Sequence, residues 1–320
     1  MKESGDGQIT ALVPVYECAD RLASHISWLR SLQGIFADFV WVVTPGRDDS
    51  ARLARKASQD LGGAYLEVPP GLYNAWNTGI RTAGTEFTYI STVGETASAE
   101  GLRRLRNSLQ VQEADVCFTP PFLPQDAKAR SQLLRWPIFR FRRELKKKQG
   151  KVLHPLMVAK LQAVAGIFSL LGSCASCLFR TSYLQAHPFP TGYFHYGDAA
   201  WVYENYATAR MVYLDDPMAD FSVHGPSGRN IGPRDVERLR RIIRCDLGKL
   251  PSGAEAAKLL HHWGATSRFL DQCRGRKPAR GWWLNPRLLM ARLARRKAEK
   301  KWLRLLGELE THTATSSATR

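Results

Sequence analysis

The chain is short of acid, of cysteine and of uninterrupted apolar runs, and each shortage removes a class of protein. Only 29 Asp and Glu stand against 46 Lys and Arg in 320 residues, so this is no acidic, solvating chain of the kind that stays unfolded. Its six cysteines, at 18, 117, 174, 177, 245 and 273, lie in apolar or helical surroundings without secreted-scaffold spacing, which favours reduced thiols. Cys174 and Cys177 form a C-x-x-C. With no second pair and no histidine pair beside them, they read as buried small residues rather than a zinc site. The opening Met1 to Gln8 is polar and runs straight into a strand. It lacks the apolar centre of a secretory signal, and the expected compartment is the cytoplasm. The longest apolar stretch, Leu153 to Phe179, is interrupted by His154, Lys160 and Gln162 and broken near Gly172-Ser173. That pattern argues against a spanning helix and leaves open one that rests on a membrane. No internal repeat is present.

With 44% hydrophobic and 23% charged residues, the chain can bury a full core as one large or two modest domains. Its net charge of +17 is segregated: residues 128–160 hold 11 Lys and Arg against one acid, and residues 234–304 hold 20 against six. The remainder is net acidic. A basic face on such a body suits anionic partners, whether phosphates, acidic lipids or nucleic acid. No nucleic-acid module or base-reading element is recognisable, which makes nucleic acid the least favoured of the three. Near the end, Trp282, Trp283, Leu288, Leu289, Leu293, Trp302 and Leu303 lie among arginines and lysines as in an interfacial helix on an anionic membrane surface. A solvated helix face is the plain alternative for residues 292–304.

Strand and helix patterns alternate through the first half. Strands are expected at Gln8–Val15, Phe39–Val43, Tyr65–Val68, Phe87–Thr92 and Asp115–Thr119. Between them come helices at Ala19–Leu32, Asp49–Leu61, Tyr73–Ala83 and Ala99–Gln110, the second ended by Gly62-Gly63. Such alternation predicts an α/β fold with a doubly wound, mostly parallel sheet and helices on both faces. Ser176–Phe179 reads as a strand returning to the sheet. The expected division is an α/β domain at 1–230, containing a basic and then apolar insertion at 126–175. A basic helical C-terminal extension at 231–310 and a frayed tail at 311–320 would follow.

Three features bear chemistry. Glu95 ends Ser91-Thr92-Val93-Gly94-Glu95, where the chain leaves the sheet; it reads equally as a ligand-binding acid and as a helix N-terminal carboxylate. Asp198, in Tyr196-Gly197-Asp198-Ala199-Ala200-Trp201, reads by itself as an N-cap. His224, in Phe221-Ser222-Val223-His224-Gly225, reads as a surface residue or a metal ligand.

The order of these features resembles the family 2 glycosyltransferases of the GT-A fold over about two thirds of the chain. Leu12-Val13-Pro14-Val15-Tyr16 is similar to that family's first strand and loop. Gly71-Leu72-Tyr73-Asn74-Ala75-Trp76-Asn77-Thr78-Gly79-Ile80 resembles its Gly-Ile-Tyr-Asp-Ala-Met-Asn-Lys-Gly-Ile helix. Ile90 to Glu95 occupies the place of the metal-binding acidic motif, Gly197-Asp198 with Trp201 that of the general base, and Phe221 to His224 that of the later histidine motif. The resemblance implies an inverting transfer of a sugar from a nucleotide-diphosphate donor, with a UDP-sugar favoured, to a saccharide, lipid-linked or protein acceptor. It implies Asp198 as general base, Glu95 and His224 at a divalent cation (Mn²⁺ or Mg²⁺), and Pro14, Tyr16, Asp49, Asn74, Asn77 and Thr92 around the donor. The chain departs from the family twice. Thr44-Pro45-Gly46-Arg47-Asp48-Asp49-Ser50 replaces an Asp-Asp-Gly-Ser turn, and a single Glu95, with Thr92 and Val93 beside it, replaces Asp-x-Asp. An inactive GT-A scaffold, or a basic anion-binding or nucleic-acid-binding protein, is therefore the alternative.

Overall fold

A computed structural model describes residues 8–165 and 168–221. The chain divides into two compact units, 1–154 with 167–230, and 155–166 with 231–320. In the second, the described element is helix α8 (Pro155–Ala165). Among the described residues no helix is long and apolar enough to cross a membrane. The expected C-terminal extension, its interfacial tryptophans and His224 lie outside the described residues.

The first unit is built on a seven-stranded sheet in the order β3-β2-β1-β4-β6-β5-β7. Its strands are β1 (Ile9–Val15), β2 (Phe36–Val43), β3 (Ala64–Glu67), β4 (Phe87–Ile90), β5 (Val116–Phe118), β6 (Cys177–Arg180) and β7 (Met211–Tyr213). Strands β1 to β4 pair in parallel, β6 runs antiparallel between β4 and β5, and β7 is parallel to β5. The near-continuous apolar run of β1 has its cause in this position, since Ala11, Leu12 and Val13 are covered on both faces. β2 begins three residues before the expected Phe39 because Phe36 pairs with Ile9 at the start of the ladder. β7 had no strand signal of its own; three residues are too few to show a period.

Helices cover both faces. The core of one face joins Leu22 and Leu29 of α1 (Ala19–Ser31), Ala54 of α2 (Ser50–Leu61) and Leu102, Leu105 and Leu109 of α4 (Ala99–Val111) to Ala11, Val13 and Trp41 of the sheet. On the other lies α3 (Leu72–Thr82), whose Gly79 has no room for a side chain. A Cβ there would stand 2.6 Å from Leu12 Cδ1 and 2.7 Å from Val42 Cγ2. Beside α3, Tyr73, Trp76, Phe179, Phe189 and Trp201 form an aromatic cluster with ring centroids 5.1–6.0 Å apart. It binds α3 to β6 through Phe179, to the loop after α9 (Thr181–Ala186) through Phe189, and to α10 (Gly197–Asn205) through Trp201.

The basic part of the insertion holds three short helices, α5 (Ala127–Leu133), α6 (Pro137–Arg140) and α7 (Arg142–Lys146). Asp215, just past β7, fastens α7. It accepts two hydrogen bonds from Arg142, at 2.6 and 3.1 Å, one from Tyr213 at 2.7 Å and an ion pair from Lys146 at 3.0 Å. Burial opposes charge on Asp215, but these donors outweigh it and hold the carboxyl down at about 2.

Candidate active site

Strand order reverses at β1: β2 and β3 lie to one side, and the chain then crosses to β4 on the other. The crevice outside the carboxyl ends of β1 and β4 is where a doubly wound sheet takes its ligand. Three of the six expected donor residues stand there. Pro14 pairs with Val42 at the end of β1, Tyr16 follows with 55% of its surface exposed, and Thr92 lies in the turn after β4. The neighbouring β2–α2 loop is latched to the β1–α1 loop. Glu17, at φ 40°, is a non-glycine residue in the left-handed region, and its Oε1 accepts the Arg47 N–H at 3.4 Å. Its Cγ passes within 2.6 Å of where a Cβ on Gly46 would be, so a side chain there would push the Glu17 side chain aside.

The two acids of that loop have different surroundings. Asp48 accepts the Ala19 N–H at 2.9 Å and the Ser50 N–H at 3.1 Å, and these bonds, Ala19 first, hold its carboxyl below the usual range. Asp48 thus secures the start of α1. Asp49 precedes α2 and pairs in solvent with Arg52 at 2.9 Å, which lowers its pKa.

Glu95 closes a tight turn after β4, its N–H bonding Thr92 O at 3.0 Å and Gly94 taking φ 93°. It is not a helix N-terminal acid, for Ser98 caps α4. Only 2% of Glu95 is exposed, its Oε2 accepts the Ser173 hydroxyl at 2.5 Å, and burial pushes its pKa up to about 8. Behind the turn stands His25 of α1, which sequence reasoning passed over as an ordinary helix-face residue. Its Nδ1 accepts the Gly94 N–H at 3.4 Å and its Nε2 bonds Ser91 Oγ at 2.9 Å. Burial lowers this imidazole to about 4, so it is neutral and Nε2 carries the proton.

Asp198 lies in the first turn of α10, one residue inside the helix rather than at its cap. Its Oδ1 accepts the Tyr73 hydroxyl at 3.2 Å and the Ala199 N–H at 2.8 Å. Burial raises its pKa to about 6, and the two donors hold back a larger rise. Gly197 makes the approach possible, since a Cβ there would fall 2.5 Å from the Tyr73 ring. The tyrosine of the α3 motif is thus the link between helix and acid. Both acids lie within electrostatic reach of one pair of thiols. The thiols of Cys174 and Cys177 are buried and free, and burial drives both well above the ordinary value. Charges at Asp198 and Glu95 add to that rise for each thiol.

Asn74 and Asn77 line a pocket of about 410 Å³ with Val68, Pro69, Thr78, Arg81 and Thr191. The Asn77 amide is engaged at both ends, donating to Phe189 O at 2.8 Å and accepting the Phe189 N–H at 2.9 Å. It holds the segment leading to Asp198, while Asn74 is exposed toward the pocket.

A divalent cation fits these residues poorly. Among the described residues no three His, Cys, Asp or Glu side chains gather to hold one. The one carboxylate of the turn is buried and hydrogen-bonded to Ser173, and Thr92 and Val93 beside it bring no charge.

The sheet, the helices on both faces and the acids at its carboxyl edge define a GT-A-type α/β fold. Solved glycosyltransferase structures share it. Staphylococcus aureus TarS 1–349 in complex with UDP-GlcNAc aligns with a TM-score of 0.59 at 14% identity, over 92% of this chain and 80% of that one. The same portion of TarS with UDP aligns at 0.55 and 15% identity, over 87% and 75%. A longer TarS chain aligns at 0.57 and 14%, and there this chain spans 43% of its partner's length. No family model and no curated protein matches the sequence.

Proposed function

We propose that this protein is an inverting glycosyltransferase that moves a sugar from a nucleotide-diphosphate sugar, with a UDP-sugar favoured, to a saccharide, lipid-linked or protein hydroxyl. The observation that carries the reading is Asp198: a half-buried carboxylate at about pKa 6, held by Tyr73 of the helix that lines the neighbouring pocket. An acid so tuned is ionised at neutral pH and basic enough to accept a proton. In the step proposed, the acceptor oxygen attacks the anomeric carbon, its proton passes to Asp198, and the bond from that carbon to the phosphate oxygen breaks, so the nucleoside diphosphate leaves with the electron pair. One displacement inverts the anomeric centre. Tyr16 offers an exposed ring to the base, and Pro14, Thr92, Asp49 and Asn74 border the donor. The likeness to TarS bound to UDP and UDP-GlcNAc supports a donor of this class.

A melting screen with UDP, GDP and dTDP and their sugars, with and without Mn²⁺, tests the donor, because a ligand that binds the folded state raises its melting temperature. NMR of the anomeric centre during turnover then tests inversion. A diphosphate that shifts melting with no transfer to any acceptor favours the rival reading of an inactive scaffold, which the missing acidic pair supports. The basic anion-binding reading gains if RNA or DNA shifts melting and nucleotides do not.

A further inference from the structure

Among the described residues, three exposed large hydrophobic side chains lie on segments that meet at Trp136. They are Phe122, Leu134 and Phe168, each 45–47% exposed. Leu134 ends α5 two residues before Trp136. The Phe122 N–H bonds Ala219 O at 2.8 Å, and two residues further on the Phe221 ring meets Trp136 edge-on at 4.6 Å. Gly172, four residues past Phe168, lies against Ile138 and Trp136, its Cβ direction reaching them at 3.4 and 3.8 Å. The stretch from α5 to just past α7 exposes Lys128, Arg130, Arg135, Arg143, Lys147 and Lys148. Arg142 and Lys146 pair with Asp215. Of the acids here, Asp126 caps α5 by accepting the Ala129 N–H at 2.7 Å.

We infer that this Trp136-centred face of α5–α7 docks on the surface of an anionic lipid bilayer, its apolar tips entering the headgroup boundary and its Lys and Arg meeting lipid phosphates. Charge of one sign interleaved with bulky apolar tips is the pattern of an interfacial surface. A nucleic acid would answer the charge but leaves Leu134 and Phe122 in water, whereas an acyl boundary takes both. The face also borders the candidate site. Thr96, next to Glu95, donates its hydroxyl to Asp220 at 2.8 Å, and Ser173, next to Gly172, holds Glu95. If the transferase reading holds, an acceptor carried on lipid is presented beside that turn; the docking itself does not depend on it.

The test uses the full chain and vesicles of phosphatidylcholine, alone or mixed equally with phosphatidylglycerol, in a sedimentation assay. Wild type is expected to bind the anionic vesicles and release as salt rises. Phe122→Ser with Leu134→Ser, and separately Arg130→Glu with Arg135→Glu, should each weaken binding by about tenfold or more. All four positions are exposed, so melting temperature and any UDP-induced shift should stay unchanged. Equal binding by both double variants, equal binding to neutral vesicles, or binding to an RNA homopolymer with none to vesicles overturns the inference. Loss of nucleotide binding with vesicle binding intact counts against the transferase reading alone.

Discussion

Asp198 and Glu95 are both carboxyls withdrawn from water beside the same pair of thiols, yet they carry different charge at neutral pH. Asp198 keeps partial exposure and has two donors on one oxygen, and it titrates at about 6. Glu95 is 2% exposed, takes the Ser173 hydroxyl and is pushed to about 8. One is mostly carboxylate, the other mostly carboxylic acid. Burial raises every acid it covers, and the donors that replace lost hydration set how far. A base needs that replacement to be nearly complete; an acid that braces a turn does not.

Removing the base should show the contrast most strongly. Asp198→Asn keeps the shape of the first turn of α10, and transfer should fall on the order of 10²–10⁴-fold while the nucleotide-induced melting shift survives. Unchanged turnover would remove Asp198 from the mechanism. Next comes the contact that delivers it. Gly197→Ala puts a methyl 2.5 Å from the Tyr73 ring and 2.7 Å from Pro190 O, and should destabilise the fold by about 1–3 kcal/mol, read by chemical denaturation.

A smaller effect is expected from Tyr73→Phe, which keeps the ring and removes one donor. The base works deprotonated, so activity should rise with pH through about 6 in the native protein. Without the tyrosine hydroxyl the Asp198 pKa rises further, and that limb of the pH profile should move to higher pH with stability little altered. A limb that stays in place would assign the contact to packing alone.

The smallest change is the one specific to Glu95. Its folded pKa is raised, so the protonated form is the stable one in the fold. That stability is complete below the unfolded value near 4.5 and is lost as pH rises through about 8. Thermal melts of wild type should therefore decline between pH 5 and 9, and those of Glu95→Gln should decline less. Parallel curves would mean that Glu95 is ionised in the fold.

The first half of the fold was legible because its signals are local. The apolar run Ile9–Val15, the Gly62-Gly63 stop and the spacing along α3 each lie within one element. Boundaries drifted where a partner decides them: β4 stops at Ile90 because the chain turns to bring Glu95 under Ser173, two residues before the apolar pattern ends. The site was half legible. Gly71 to Ile80 pointed to α3, but which of its residues touches Asp198 did not follow from spacing. Tyr73 is 125 positions away in the chain. His25 and Ser173 left no signal, because a lone histidine on an apolar helix face and a serine in a mostly apolar stretch look like ordinary packing residues.

Periodicity, small residues at helix faces and the alternation of strand and helix are written into neighbouring positions, and these alone pointed to the layered, mostly parallel sheet. The ionisation of the two acids, the neutral histidine behind one and the tyrosine against the other were decided only when distant segments met. A carboxyl's charge depends on the water it loses and the donors it gains, and both are set by residues far from it in the chain.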